Sequence, residues 1–233
     1  MRRQIIAMGG GGFSMEPDNP LLDQYIVEQA RRSNPSVCFF PHATDDASRY
    51  VLNFYKAFTR LNVRPTYLSL FTPPTTDLES FLLEQDIIYV GGGNTKSMLA
   101  LWREWKLDEI LYKAYQNGTV LAGISAGANC WFQECSTDSL PGKLSMLPCL
   151  GMIKGSFCPH YDGESERRPS LHKLIGENLM IPGYAADDGA AAHFIDDRFS
   201  GAISSRPLAK LYKINKVNGQ VSEEIIETRF LGA

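Results

Sequence analysis

The chain has 233 residues, 44% of them hydrophobic, and 23 Lys and Arg against 26 Asp and Glu leave a formal net charge of −3. A core of this size closes without disulfides or a structural metal. No Lys/Arg run is longer than a pair, so neither a phosphate backbone nor an anionic membrane finds an electrostatic footing, and no nucleic-acid or membrane partner is expected.

Five cysteines (Cys38, Cys130, Cys135, Cys149 and Cys158) are an odd number without a C-x-x-C pair, which predicts reduced thiols in a cytosol. Cys130, Cys135, Cys158 and His160 do not have zinc-site spacing, and no metal is expected. Arg2-Arg3 precedes only four apolar residues, too few for a signal peptide, and nowhere do 18 apolar residues run together. A cytoplasmic, soluble protein is the expectation.

Short apolar runs alternate with longer amphipathic ones and end in glycine or proline, the rhythm of a βαβ protein. Residues 4–8 predict a first strand, closed by Gly9-Gly10-Gly11-Gly12. Asn19-Pro20 then supplies an N-cap and a first-turn proline for a helix to about residue 33. Residues 37–40 predict a second strand, followed by a helix from about Asp46 with Tyr50, Val51, Phe54 and Phe58 on one face. A third strand is predicted at 67–70, and Thr76-Asp77-Leu78-Glu79 has the form of a capping box. Ile87-Ile88-Tyr89-Val90, apolar without alternation, predicts a strand buried on both faces of a parallel sheet; it runs into Gly91-Gly92-Gly93-Asn94. Helices from about Thr95 and over 107–117 follow, the second stopped by Gly118. A fifth strand over 120–124 delivers Ser125. Beyond it the pattern predicts strands at 153–157, 184–186, 190–194, 208–214 and 224–230, a helix near 170–177, and a hairpin region in which Asn218-Gly219 makes one turn. With no repeat or linker, one domain over 1–233 is expected.

Gly123-Ile124-Ser125-Ala126-Gly127 matches G-x-S-x-G between an apolar strand and a small-residue helix start. A nucleophile on such a turn is forced into strained backbone, and side chains two residues before and after it would collide with neighbouring elements. Serine needs a base to take its proton. Of His42, His160, His172 and His193, His160 suits the task best, because it follows a predicted strand beside a proline that sets its approach; His42 could line the same sheet edge. Gly91-Gly92-Gly93 leaves backbone amides unobstructed, and with the amide of Ala126 it would make a two-donor oxyanion hole. The nucleotide-binding alternatives fail: a Walker A loop needs glycine where Thr95 stands, and G-x-G-x-x-G needs it at Ser14 or Met15.

Val90-Gly91-Gly92-Gly93-Asn94-Thr95, Gly123-Ile124-Ser125-Ala126-Gly127-Ala128 and Pro159-His160, in that order and spacing, resemble the peptidase E (aspartyl dipeptidase) family of serine peptidases. The resemblance implies a doubly wound, mostly parallel three-layer α/β sandwich, similar to class I glutamine amidotransferases and flavodoxin-like folds, with the C-terminal hairpin region added. It implies Ser125 as nucleophile, His160 as base, and the amides of Gly93 and Ala126 as the oxyanion hole. For the acid it offers Asp188, which is preferred, and Asp138 as the alternative. Arg167, Arg168 and Asn94 become candidates for binding substrate, a short peptide and in this family a dipeptide with N-terminal aspartate. No cofactor is implied, and the oligomeric state stays open. Cyanophycinases share Ser-Ala-Gly-Ala, so a cyanophycinase-like or other amide hydrolase is the alternative, as is a non-catalytic binding module on the amidotransferase-like fold. A glutaminase would be expected to carry cysteine at the elbow.

Overall fold

The computed structural model describes residues 2–232. In chain order the first half comprises β1 (Gln4–Met8), the single turn α1 (Gly12–Met15), α2 (Leu21–Glu28), β2 (Ser36–Phe40), α3 (Ala47–Phe58), β3 (Arg64–Tyr67), α4 (Leu78–Leu83), β4 (Ile87–Val90), α5 (Thr95–Glu104), α6 (Leu107–Gln116), β5 (Val120–Ile124) and the short α7 (Ala126–Asn129). The second half comprises β6 (Phe132–Thr137), β7 (Ser145–Pro148), β8 (Ile153–Cys158), α8 (Arg167–Gly176), β9 (Gly183–Ala186), β10 (Ala190–Ile195), β11 (Arg198–Ser204), β12 (Leu211–Val217), β13 (Gln220–Ile226) and β14 (Thr228–Phe230).

Two sheets form. The larger has eight strands in the order β14-β11-β10-β1-β5-β4-β2-β3, in which only β10 runs against the rest. Alternation along β1 sends Ile6 and Met8 to one face and Ile5 and Ala7 to the other. The first face is covered by α1, α2 and α3 through Phe13, Leu22, Ile26, Phe54 and Phe58. The second is covered by α4, α5 and α6 through Leu82, Met98, Trp102 and Leu111, and by a second sheet of order β13-β12-β9-β8-β6-β7. Phe132 of β6 and Tyr184 of β9 pack edge-on against Phe194 of β10, with ring centroids 5.6 and 5.4 Å away, and so join the sheets. The outcome is the α/β sandwich expected from the motifs, with a six-stranded mixed sheet where hairpins were predicted.

Several boundaries differ for identifiable reasons. β3 lies three residues before its predicted place, because Ser36 to Phe39 of β2 register with Arg64 to Tyr67. Pro65 disguises it, and is tolerated because β3 is the sheet's edge. α2 stops at Glu28, where Gln29 and Ala30 close tighter i−3 bonds to Ile26 and Val27 before a polar stretch. The cap of α4 is Asp77, whose carboxylate accepts from Ser80 N at 3.0 Å, one residue beyond the predicted Thr76. β6, β7 and β11 were not predicted: β6 mixes Gln133 and Glu134 into its run, β7 ends in proline, and β11 carries Gly201. β12 starts at Leu211 and not at the exposed Leu208. The run expected as one strand over 224–230 is two, since β13 belongs to the second sheet and β14 to the first. The Asn218-Gly219 turn forms as predicted, with φ of 51° and 81°.

Candidate active site

The turns after β1, β4, β5 and β8, together with the turn between β9 and β10, converge at the carboxyl ends of the central strands, where open α/β sheets hold ligands. Ser125 is the hinge between β5 and α7. Its backbone sits at φ 55° and ψ −112°, outside the regions a serine ordinarily adopts, at a cost of about 1–3 kcal/mol. Two glycines make the corner feasible. A Cβ on Gly123 would lie 2.1 Å from Gly127 O, and one on Gly127 would lie 2.2 Å from Val90 O. The serine is tied down by its N–H to Met8 O at 3.1 Å and by its carbonyl, which accepts from Ala128 and Asn129.

His160 follows β8 and reaches across to this corner, with Nε2 2.9 Å from Ser125 Oγ and Nδ1 2.7 Å from Asp188 Oδ1. Burial alone would raise the Asp188 carboxyl, but the hydrogen bond and charge of His160, with help from Arg206 and Arg167, outweigh it and hold the group below its usual range. An ionised carboxylate only accepts. Nδ1 therefore carries the imidazole proton, and Nε2 is left to accept from the Ser125 hydroxyl. The neighbouring Asp187 points elsewhere: it accepts from Lys210 N at 2.9 Å and faces Tyr212, and burial pushes its carboxyl up to about 6.

The backbone after β4 presents four successive amides. Gly91 N–H donates to Phe40 O, Gly92 N–H to the Tyr50 hydroxyl, and Asn94 N–H to Ala43 O. Among the described residues the Gly93 N–H finds no acceptor, and neither does that of Ala126 at the start of α7. Gly92 brings this turn against the serine, for a Cβ there would lie 3.3 Å from Ser125 Cβ. Gly93 itself is at φ 134°, where a Cβ would strike Ala43 O at 2.2 Å.

Comparison with known proteins fits this geometry. Residues 5–201 match the model of Peptidase family S51. The chain belongs to that family. It is 55% identical over 230 residues, 99% of this chain and all of the relative, to a protein described as uncharacterized peptidase YgaJ of Bacillus subtilis (strain 168). It is 26% identical over 187 residues, covering 75% of this chain and 76% of the relative, to peptidase E of Pasteurella multocida (strain Pm70). Among solved structures, a peptidase from an acI-B1 Actinobacterium superposes with a TM-score of 0.73 at 16% identity, covering 98% of this chain and 95% of that one, a likeness of fold. The protein is thus an S51 peptidase with the peptidase E-type fold.

In this S51 peptidase the remaining residues singled out from sequence fall into two groups. Asn94 adjoins the site: its side chain caps α5 by accepting from Ser97 N at 2.9 Å and donates to Ser139 O at 3.0 Å. Asp138, Arg167 and Arg168 are engaged with other partners. Asp138 is exposed and 3.5 Å from Arg167. The buried Arg167 also binds Glu164 at 2.7 Å and Ser136 O. Arg168 lies over the rings of Tyr161 and Tyr212 and 3.6 Å from Glu223. His42 is a packed core group, donating from Nε2 to Leu68 O while Nδ1 accepts from Trp102, and burial lowers it to about 4.

Three contributors were not predicted. Gly10, set aside because its run fits no nucleotide fingerprint, lies against His160 and Asp188: a Cβ there would fall 1.9 Å from Asp188 Oδ1 and 3.1 Å from His160 Nδ1. Asp162 accepts from the Asp188 backbone amide at 2.8 Å. Tyr50 holds Gly92. The four-glycine run after β1 was the available signal for the first; nothing local to Asp162 or Tyr50 announces a partner so far along the chain.

Proposed function

We propose that this peptidase is a serine hydrolase that cleaves short peptides through an acyl-enzyme. The supporting observation is the relay from Ser125 Oγ through His160 to an ionised Asp188, beside two free amides. Ser125 Oγ attacks the scissile carbonyl carbon as its proton passes to His160 Nε2. Asp188 stabilises the resulting imidazolium, and the amides of Gly93 and Ala126 stabilise the oxyanion. Collapse of the tetrahedral intermediate breaks the C–N bond, and His160 hands its proton to the departing amine. Water, deprotonated by the same imidazole, then releases the acyl group and regenerates the serine.

For an N-terminal aspartate, the family resemblance offers Arg167 and Arg168. Of the two, Arg168 keeps the more exposed side chain, 46% against 3%, and is the one that could exchange Glu223 for a substrate carboxylate at low cost. We take short peptides as the substrate class and acidic N-terminal residues as the preference to test. Five free thiols fit a reducing compartment.

Replacing Ser125→Ala should lower kcat by roughly a thousandfold or more while leaving the melting temperature near that of the parent, and a fluorophosphonate should label Ser125 alone. Hydrolysis that survives the substitution, or label on another residue, would overturn the proposal. Rates on dipeptides bearing each N-terminal residue, before and after Arg168→Met, decide whether aspartate is preferred and whether Arg168 is the cause.

A further inference from the structure

We infer that Tyr50 is a positioning residue for hydrolysis: its hydroxyl holds the Gly91–Gly93 turn in the conformation that leaves the Gly93 amide free for the substrate oxygen. The inference rests on the reading of Ser125 as nucleophile and of Gly93 as an oxyanion donor. Three consecutive glycines have no side chains with which to anchor themselves, so whatever fixes this turn must come from outside it. Phe40 O and Ala43 O supply two of the anchors, and both are backbone atoms that a change of side chain leaves in place. Tyr50 supplies the third, accepting from Gly92 N–H at 3.0 Å.

Tyr50 belongs to α3, the helix whose apolar stripe continues through Phe54 and Phe58. Its ring packs against Phe39 and Phe13 at 4.9 and 5.5 Å between centroids, and lies so close to the turn that a Cβ on Gly91 would meet Cε1 at 2.7 Å. Packing alone would be met by phenylalanine, as it is at the next two positions of the stripe. The hydroxyl is the surplus, and it sits at the turn that abuts Ser125.

The same side chain also packs beside the first glycine turn, through Phe13 of α1. Beside it lies the Ser14 hydroxyl, which donates to Gly11 O at 3.4 Å, within the turn whose Gly10 lies against His160 and Asp188. Burial keeps the phenol protonated, so it remains both an acceptor for Gly92 and a donor in its own right. One side chain therefore ties the backbone on the oxyanion side and packs beside the turn on the acid–base side.

Tyr50→Phe keeps the ring and deletes only the tie. The Gly93 amide survives but is less well placed, so kcat should fall about tenfold, short of the hundredfold or greater loss that follows removal of a donor. KM should stay within about twofold. Fluorophosphonate labelling of Ser125 should slow by the same factor as kcat, because its adduct carries oxygen into the same hole. Phe54→Leu serves as a control that loosens the same helix without touching the turn, with each variant assayed well below its own melting midpoint. An unchanged kcat in Tyr50→Phe, a change confined to KM, unaltered labelling, or an equal loss in Phe54→Leu would each overturn the inference. Activity persisting in Ser125→Ala would instead bring down the underlying reading, so the two failures can be told apart.

Discussion

The Ser125 side of the site and its His160–Asp188 side are built in opposite ways. Ser125 is held by its own neighbourhood: a strand, a strained corner and a short helix within ten residues, with two glycines packed on each other and on Val90 O. His160 and Asp188 meet only because three separate turns, after β1, after β8 and between β9 and β10, are pressed together. The ties are His160 N–H to Gly9 O, Gly189 N–H to Gly10 O, and Asp188 N–H to Asp162. A local device stores strain and resists change through the backbone. A device assembled over long sequence distances depends on side chains that can shift while the fold stands.

That contrast can be tested by substitutions on each side. The largest effect belongs to Asp188→Asn. The carboxamide can donate to Nδ1 and place the imidazole proton on Nε2, where it blocks acceptance from serine. Peptide hydrolysis should drop roughly ten-thousand-fold with little change in the thermal midpoint, and a loss under tenfold would contradict the role given to Asp188.

Next in size is a pH effect beneath the first glycine turn. Burial, partly countered by the Tyr89 hydroxyl and the Phe13 amide, pushes the Asp23 carboxyl up to about 7. The folded state keeps a proton there that the unfolded chain has released, so this group's contribution is complete below the usual carboxylate range and is lost as pH rises from about 4 to 7. The loss is on the order of 4 kcal/mol. Asp23→Asn still accepts from Tyr89 without ionising, so its stability relative to the parent in urea should improve between about pH 4 and pH 8. A constant difference would refute the assignment.

Two glycine substitutions then set the sides against each other. Gly127→Ala drives a methyl group into Val90 O, a backbone atom with nowhere to go, and should cost roughly 3 kcal/mol of stability as well as activity. Gly10→Ala meets the Asp188 carboxylate, which can swing away. Activity should fall about a hundredfold while denaturation barely moves. Equal destabilisation by both would erase the distinction drawn here. The smallest effect is expected of Asp138→Asn, which removes one ion pair 3.5 Å long whose carboxylate is exposed. Stability should change by less than about 1 kcal/mol and kcat by less than about twofold; a large loss of rate would return Asp138 to contention as the acid.

The legibility of the site follows the same division. Gly123-Ile124-Ser125-Ala126-Gly127 announces its geometry, because the steric demands of the elbow fall on adjacent positions. Asp188 and Asp138 could be separated only by position in space, since both lie in acidic or polar stretches with nothing local to say which reaches an imidazole. Asp188 is 2.7 Å from His160, whereas Asp138 pairs with Arg167. Arg167 and Arg168 look alike in sequence, yet one is buried between carboxylates and the other lies half-exposed on two tyrosines.

Much the same holds for the fold. The central strands β1, β2, β4 and β5 and the helices that follow them were readable because their apolar runs are buried along their length. β6, β7 and β11 were not, because polar residues, a proline and a glycine break up their runs and leave little periodicity, although β7 and β11 pair with their chain neighbours β6 and β10. By itself the sequence determined the rhythm of strands and helices, the serine at its corner and the glycines that flank it, all through steric rules acting between near neighbours. Tertiary structure alone decided which carboxylate meets His160, which arginine is buried, and that Tyr50 reaches Gly92, since each depends on contacts that form only when distant segments are packed together.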